Sequence, residues 1–138
     1  MIVTPAAPEH REGWLALRAA LWGEDAGDPA DLPEGDGNFV ALADGRVIGF
    51  AEAAVRHDYV NGCDGSPVLF LEGLYVDPAW RRQGVAGALV ATVADWGRAL
   101  GCSEFASDAE LDNLDSHAMH RALGFAETER VVYFRREL

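Results

Sequence analysis

Basic side chains are scarce in this 138-residue chain: 11 stand against 23 aspartates and glutamates, a formal charge of −12. A surface so poor in cations does not suit nucleic acid, whose phosphates need a basic face. It suits a cationic small molecule, because an acidic field concentrates cations, although the same acids also keep a protein soluble. Cysteine is nearly missing: Cys63 and Cys102 are too few for a disulfide framework, and a reducing cytoplasm is the expected compartment. No apolar run approaches a membrane span in length. The opening MIVTPAAPEHREGW lacks a basic stretch followed by an apolar core, so no signal peptide and no membrane contact are expected. Repeats are absent as well. With 49% hydrophobic residues, the chain reads as a single domain over residues 1–138 with its own core.

Periodicity divides that domain. Ile2-Val3-Thr4 is a short strand, and Trp14, Leu15, Leu17, Leu21 and Trp22 fall at helical spacing between Glu9 and Trp22. The stretch GEDAGDPADLPEGDGN, residues 23–38, holds six acids, four glycines, two prolines and no basic residue. Glycine and proline punctuate it too densely for a full helix, so an acidic loop with at most one helical turn is expected. Residues 39–43 and 46–55 form a hairpin about Asp44-Gly45, and after the polar RHDYVNGCDGSP comes a strong strand, Val68 to Val76. Gly84 to Leu100 is the longest helix, stopped by Gly101; Phe105 to Ser107 is a strand, Ser116 to Leu123 a helix, and VVYFR a closing strand. Strands interleaved with helices in this order imply a mixed sheet flanked by helices, an α/β fold.

The strand Val68–Val76 ends on Asp77-Pro78, and Arg81, Gly84 and Ala86 then give R-x-x-G-x-A at the opening of the long helix. Small residues at 84, 86 and 87 leave backbone N–H groups facing outward, and a helix start adds its positive dipole end, so a pyrophosphate fits there. Arg81 and Arg82 add charge-assisted contacts. A glycine-containing helix start with solvated arginines has the same local sequence. Farther along, Asn113 lies seven residues before His120, and A-L-G-F follows at 122–125.

Strand, V-D-P, W-R-R-Q-G-V-A, long helix, strand, Asn113, helix and A-L-G-F resemble, in order and spacing, the GNAT family of acetyl-coenzyme A dependent N-acetyltransferases. The resemblance implies a mixed, mostly antiparallel central sheet splayed between its fourth and fifth strands. It implies acetyl-CoA as cosubstrate, its pyrophosphate held by Arg81, Arg82, Gln83, Gly84, Val85, Ala86 and Gly87. It further implies that the Leu74 N–H polarises the thioester carbonyl, that the Val76 N–H binds pantetheine, and that Asn113 touches the coenzyme. His120 stands where the family carries a thiol-protonating tyrosine; histidine can also give a proton, from a shorter side chain. His117 shares a helix face with His120, but without a third ligand no metal is expected.

Within the strand, Gly73 marks a bulge or a close approach of another group. Glu72 beside it is a lone charge in an apolar run, which requires a cavity or a partner. It either holds the acceptor ammonium and takes its proton, or pairs with an arginine of a neighbouring strand. Asp108, after the strand Phe105–Ser107, is a second ammonium ligand or a cap.

LRAALW, RHDYVNGCD, FLEGLYV, Ser107-Asp108 and ALGFAETERVVYFRRE together resemble the aminoglycoside 6'-N-acetyltransferases, antibiotic-resistance acyltransferases. That likeness implies a polycationic aminoglycoside acceptor bound by Trp22, Asp58, Tyr59, Glu72 and Asp108, and a homodimer. It is weakest over residues 23–38, where the subfamily has a second helix walling the acceptor cleft. A GNAT enzyme acting on another cationic amine, polyamine or protein, and a non-catalytic CoA-binding module are the alternative readings.

Overall fold

The computed structural model of the protein describes all 138 residues. β1 (Ile2–Pro5) leads through a 3-10 turn into α1 (Arg11–Trp22), which stops at Gly23 with φ +98°. The acidic connection contains two 3-10 turns, Glu24–Gly27 and Pro29–Asp31, one more turn than expected, and no α-helix, as its glycines and prolines dictate. β2 (Asn38–Ala43) and β3 (Arg46–Arg56) form the hairpin, followed by β4 (Val68–Val76), α2 (Val85–Ala99), β5 (Phe105–Ser107) and α3 (Leu114–Ala122).

The strands lie in the order β1-β2-β3-β4-β5, antiparallel except for the β4–β5 pair, which is parallel. That pair is short: only Leu69–Leu71 meet Phe105–Ser107, so β4 from Glu72 to Val76 has no neighbour on this side. The expected splay between the fourth and fifth strands is there, and it begins at Glu72, directly after the last paired residue, Leu71.

Helices cover both faces. α2 lays Val85, Leu89, Val90 and Val93 against Leu69, Leu71, Leu74 and Val76 in the larger core. On the opposite face Trp14 and Leu17 of α1 pack on Val40 and Phe50. Burying the Leu89 and Val93 side chains, each 0% exposed, stabilises the fold by about 1.5–3 kcal/mol apiece, the main reason α2 is fixed to the sheet.

One element departs from expectation. VVYFR forms no strand: residues 126–138 make no backbone hydrogen bond, and Val132, Tyr133 and Phe134 are 71%, 83% and 93% exposed. The consecutive β-branched and aromatic residues Val131 to Phe134 give the segment strand propensity but not an edge to pair with, and within one chain none receives it.

Candidate active site

The site is built around an irregularity in β4. Glu52 of β3 pairs with Gly73 and Ala53 with Leu71, so Glu72 is the extra residue of a β-bulge. A bulge re-aims the side chain it carries and offsets the alternation beyond it. Leu69 and Leu71 before it and Leu74 and Val76 after it therefore reach the same core, while Glu72 turns outward, exposed. Gly73 is required here by close approach: the Trp22 indole lies 2.4 Å from where its Cβ would be.

Glu72 opens into a cavity of about 540 Å³ lined by Arg18, Trp22, Asp25, Asp31, Glu52 and Glu72. Its side chain is not solitary. Arg56 of β3 donates from Nη2 to both carboxylate oxygens, at 2.9 and 3.1 Å, with its guanidinium 3.5 Å from the centre of the Phe70 ring. The arginine partner foreseen as the alternative for Glu72 is thus present, yet the pair is about 41% exposed on each side. Such a pair is worth roughly 0–1 kcal/mol, so an arriving ammonium can share or replace it at little cost.

Deeper in the cavity, Arg18 and Glu52 form a buried ion pair, 9% and 3% exposed. Burial pushes the Glu52 carboxyl above the usual carboxylate range, against the opposing pull of the Arg18 guanidinium. Trp22 is 45% exposed and stands 5.9 Å from Phe50, so it presents one surface to the cavity and packs with the other. Sequence patterns alone do not single out Arg18 and Glu52. Both are charges in otherwise apolar stripes, Arg18 one turn from Trp14 and from Trp22, and that was the available signal.

The start of α2 carries the second half of the site. Asp77 caps the 3-10 turn Pro78–Trp80, its Oδ1 accepting from Ala79 N–H at 2.9 Å. Arg82 (φ +61°) and Gly84 (φ +82°) then adopt left-handed backbone, a conformation glycine takes without strain. The amides of Arg82, Gln83, Gly84, Val85, Ala86 and Gly87 donate to no protein acceptor; the first bond closes from Ala88 N–H to Gly84 O. A run of free amides at a helix start is a nest for an anion. A Cβ at Gly84 or Gly87 would meet nothing within 4 Å, so the concavity is open. Arg81 turns back, its Nε donating to Val76 O at 3.1 Å, which ties the loop to the end of β4. Arg82 is exposed. Leu74 and Val76 bury their side chains, and only their backbone is available to the gap beside β4.

The other predicted residues fall as follows. Asp108 is exposed in the coil after β5 and caps no helix. Asp58 and Tyr59 are exposed, Tyr59 at 75%, and do not line the cavity. Their connection is held by Glu104, which accepts from the amides of Asp64 and Gly65; these bonds keep its carboxyl below the usual range. Asn113 caps α3, its Oδ1 accepting from Ser116 N–H at 3.2 Å. His120 Nε2 lies 2.8 Å from Ser107 Oγ and Nδ1 donates to Ser116 O at 2.7 Å, so both ring nitrogens are engaged. His117 faces Glu110 O instead of its neighbour.

A bulged, splayed fourth strand followed by a nest of free amides is the arrangement that the sequence resemblance implied. Residues 5–125 match the model of the acetyltransferase (GNAT) family. The chain belongs to the GNAT family. Among curated GNAT relatives, an aminoglycoside N(6')-acetyltransferase type 1 of Salmonella enteritidis is 50% identical, the match covering 92% of each chain. One from Stenotrophomonas maltophilia is also 50% identical, over 99% of this chain and 93% of that one. In structure, AAC(6')-Iy in complex with the bisubstrate analogue CoA-S-monomethyl-acetylneamine superposes with TM-score 0.89 at 46% identity, covering 99% of this chain and 98% of that one. AAC(6')-Ih from Acinetobacter baumannii superposes with TM-score 0.91 at 44% identity, over 99% and 98%.

Proposed function

We propose that this GNAT enzyme transfers the acetyl group of acetyl-CoA to the 6'-amine of aminoglycosides, an acyl transfer that confers resistance. The observation that carries the reading is Glu72, thrust by its bulge into an acidic cavity walled by Trp22, on a strand whose far end runs into the amide nest. An aminoglycoside offers several ammonium groups on rigid rings; carboxylates bind the former and a flat indole face packs on the latter. The relatives and solved neighbours that carry the same activity in their names support the choice of acceptor.

In this reading Arg81 and the Arg82–Gly87 amides hold the pyrophosphate, and the Val76 backbone steadies pantetheine along the unpaired side of β4. The Leu74 N–H stabilises the oxyanion that develops on the thioester carbonyl, a contribution of about 3 kcal/mol for one such donor. Glu72 holds the 6'-ammonium and takes one proton, directly or through water. The freed nitrogen bonds to the carbonyl carbon, the carbon–sulfur bond breaks, and the thiolate takes a proton. His120 serves as that acid only if it gives up Ser107. Asn113 combines its capping role with a coenzyme contact. Asp108, Asp58 and Tyr59 extend acceptor binding beyond the cavity.

The reading extends to the whole protein. Residues 1–138 act as one domain, in the cytoplasm, where acetyl-CoA is supplied and both cysteines stay free. No helix is long and apolar enough to cross a membrane. The enzyme is a homodimer, a second copy covering the exposed Val132, Tyr133 and Phe134. A solution mass of one chain at micromolar concentration would remove that part.

Thiol release tests the activity. The purified protein with acetyl-CoA is expected to release CoA rapidly with kanamycin or tobramycin and far more slowly with spermidine or a lysine peptide. Release with spermidine or peptide alone would keep the chemistry and discard the antibiotic; coenzyme binding without release would make the protein a binding module.

A further inference from the structure

We propose that Arg18 is a positioning residue for the acceptor: from α1 it fixes the 24–33 segment as the cavity wall, with Glu52 as its buried counter-charge. This rests on the cavity being the acceptor site.

The wall needs an external anchor. Residues 24–33 contain only two 3-10 turns, and their internal bonds are local, such as Ala26 N–H to Gly23 O and Asp31 N–H to Asp28 O. Short turns of this kind do not hold a shape alone. Arg18 reaches the segment at two places at once. Its Nε donates to Ala26 O at 3.1 Å and its Nη2 to Asp31 O at 3.3 Å. Nη1 donates to both Glu52 oxygens, at 2.6 Å to Oε2, and the guanidinium carbon lies 4.9 Å from the Trp22 ring centre. One planar fork thus joins both turns, the sheet and the indole.

The chemistry explains why a charge is buried here. A buried ion pair stabilises a fold no better than apolar residues of the same volume. What apolar residues cannot do is bind a carboxylate and two carbonyls while lying beside an aromatic ring; arginine's rigid fork can, and lysine's single ammonium cannot do so simultaneously. The bonds also spare the wall's acids. Arg18 takes the backbone carbonyl of Asp31, and the carboxylates of Asp25 and Asp31 make no hydrogen bond or ion pair, leaving both free for ammonium groups. With Glu52 neutralised by Arg18, the unpaired negative charge offered to an acceptor sits on Asp25 and Asp31, beside the exposed Arg56–Glu72 pair.

Removing one partner leaves a buried charge unpaired and risks misfolding, so the informative variants are the double apolar replacement Arg18→Met/Glu52→Met and the conservative Arg18→Lys. Steady-state kinetics with kanamycin, or with whichever amine the wild type uses, are expected to show the acceptor KM raised at least tenfold in both. The acetyl-CoA KM should stay within about twofold. Amide hydrogen exchange over residues 24–32 should accelerate in the double variant while its Tm remains near that of the wild type. Folded variants with an unchanged acceptor KM would overturn the proposal, as would unchanged exchange over 24–32. A wild type that rejects aminoglycosides but shows the same KM split with another amine would instead overturn only the choice of acceptor.

Discussion

Glu72→Ala is expected to lower kcat/KM for the aminoglycoside by about 10²–10⁴-fold, the range for losing a positioned proton acceptor, while acetyl-CoA binds with unchanged affinity. The two halves of this expectation come from geometry. Glu72 is the bulged residue that faces the acidic cavity, whereas the coenzyme cradle is made of backbone amides at the start of α2. Stability should hardly move, because the Arg56–Glu72 pair is about 41% exposed and such pairs contribute roughly 0–1 kcal/mol. Calorimetric titration with acetyl-CoA, beside steady-state kinetics, separates the effects. Loss of coenzyme affinity in this variant would move Glu72 to the other side of the reaction.

Gly87→Glu should do the reverse and produce two effects of opposite sign in one protein. Gly87 is exposed in the first turn of α2, and a side chain built on it meets nothing within 4 Å. Glutamate replaces the weakest ordinary helix former and places a negative charge at the positive end of the helix, so Tm should hold or rise. The same carboxylate occupies the nest and repels a pyrophosphate, so acetyl-CoA affinity should fall at least 100-fold. Parallel melting curves and coenzyme titrations give the answer. A stable variant with normal coenzyme affinity would mean that the phosphates bind elsewhere.

How much of this was legible in the sequence follows from where the information lies. β4 could be bounded at Val68 and Val76 because Asp77-Pro78 ends it locally, and Gly73 beside a lone Glu72 announced the bulge. The nest was legible because small residues after a strand and before a helix are a local pattern. The Arg18–Glu52 pair is a contact between residues 34 apart in sequence, and helical periodicity counted only the apolar members of that α1 face. The Arg56–Glu72 pair stood among the alternatives, since strand neighbours offer few partners. VVYFR shows the limit of propensity: its β-branched and aromatic residues predict a strand, but a ladder needs an edge that no local pattern names. Asp58 and Tyr59 were placed by resemblance, and a single chain does not bring them to the cavity.

The most direct test of the central claim compares neomycin with paromomycin, which differ only in carrying an amine or a hydroxyl at the 6' position. The account predicts steady thiol release from acetyl-CoA with neomycin and a product acetylated on the 6'-nitrogen, with release near background for paromomycin. Comparable turnover of both would place the acetyl group on a different amine and contradict the 6' assignment.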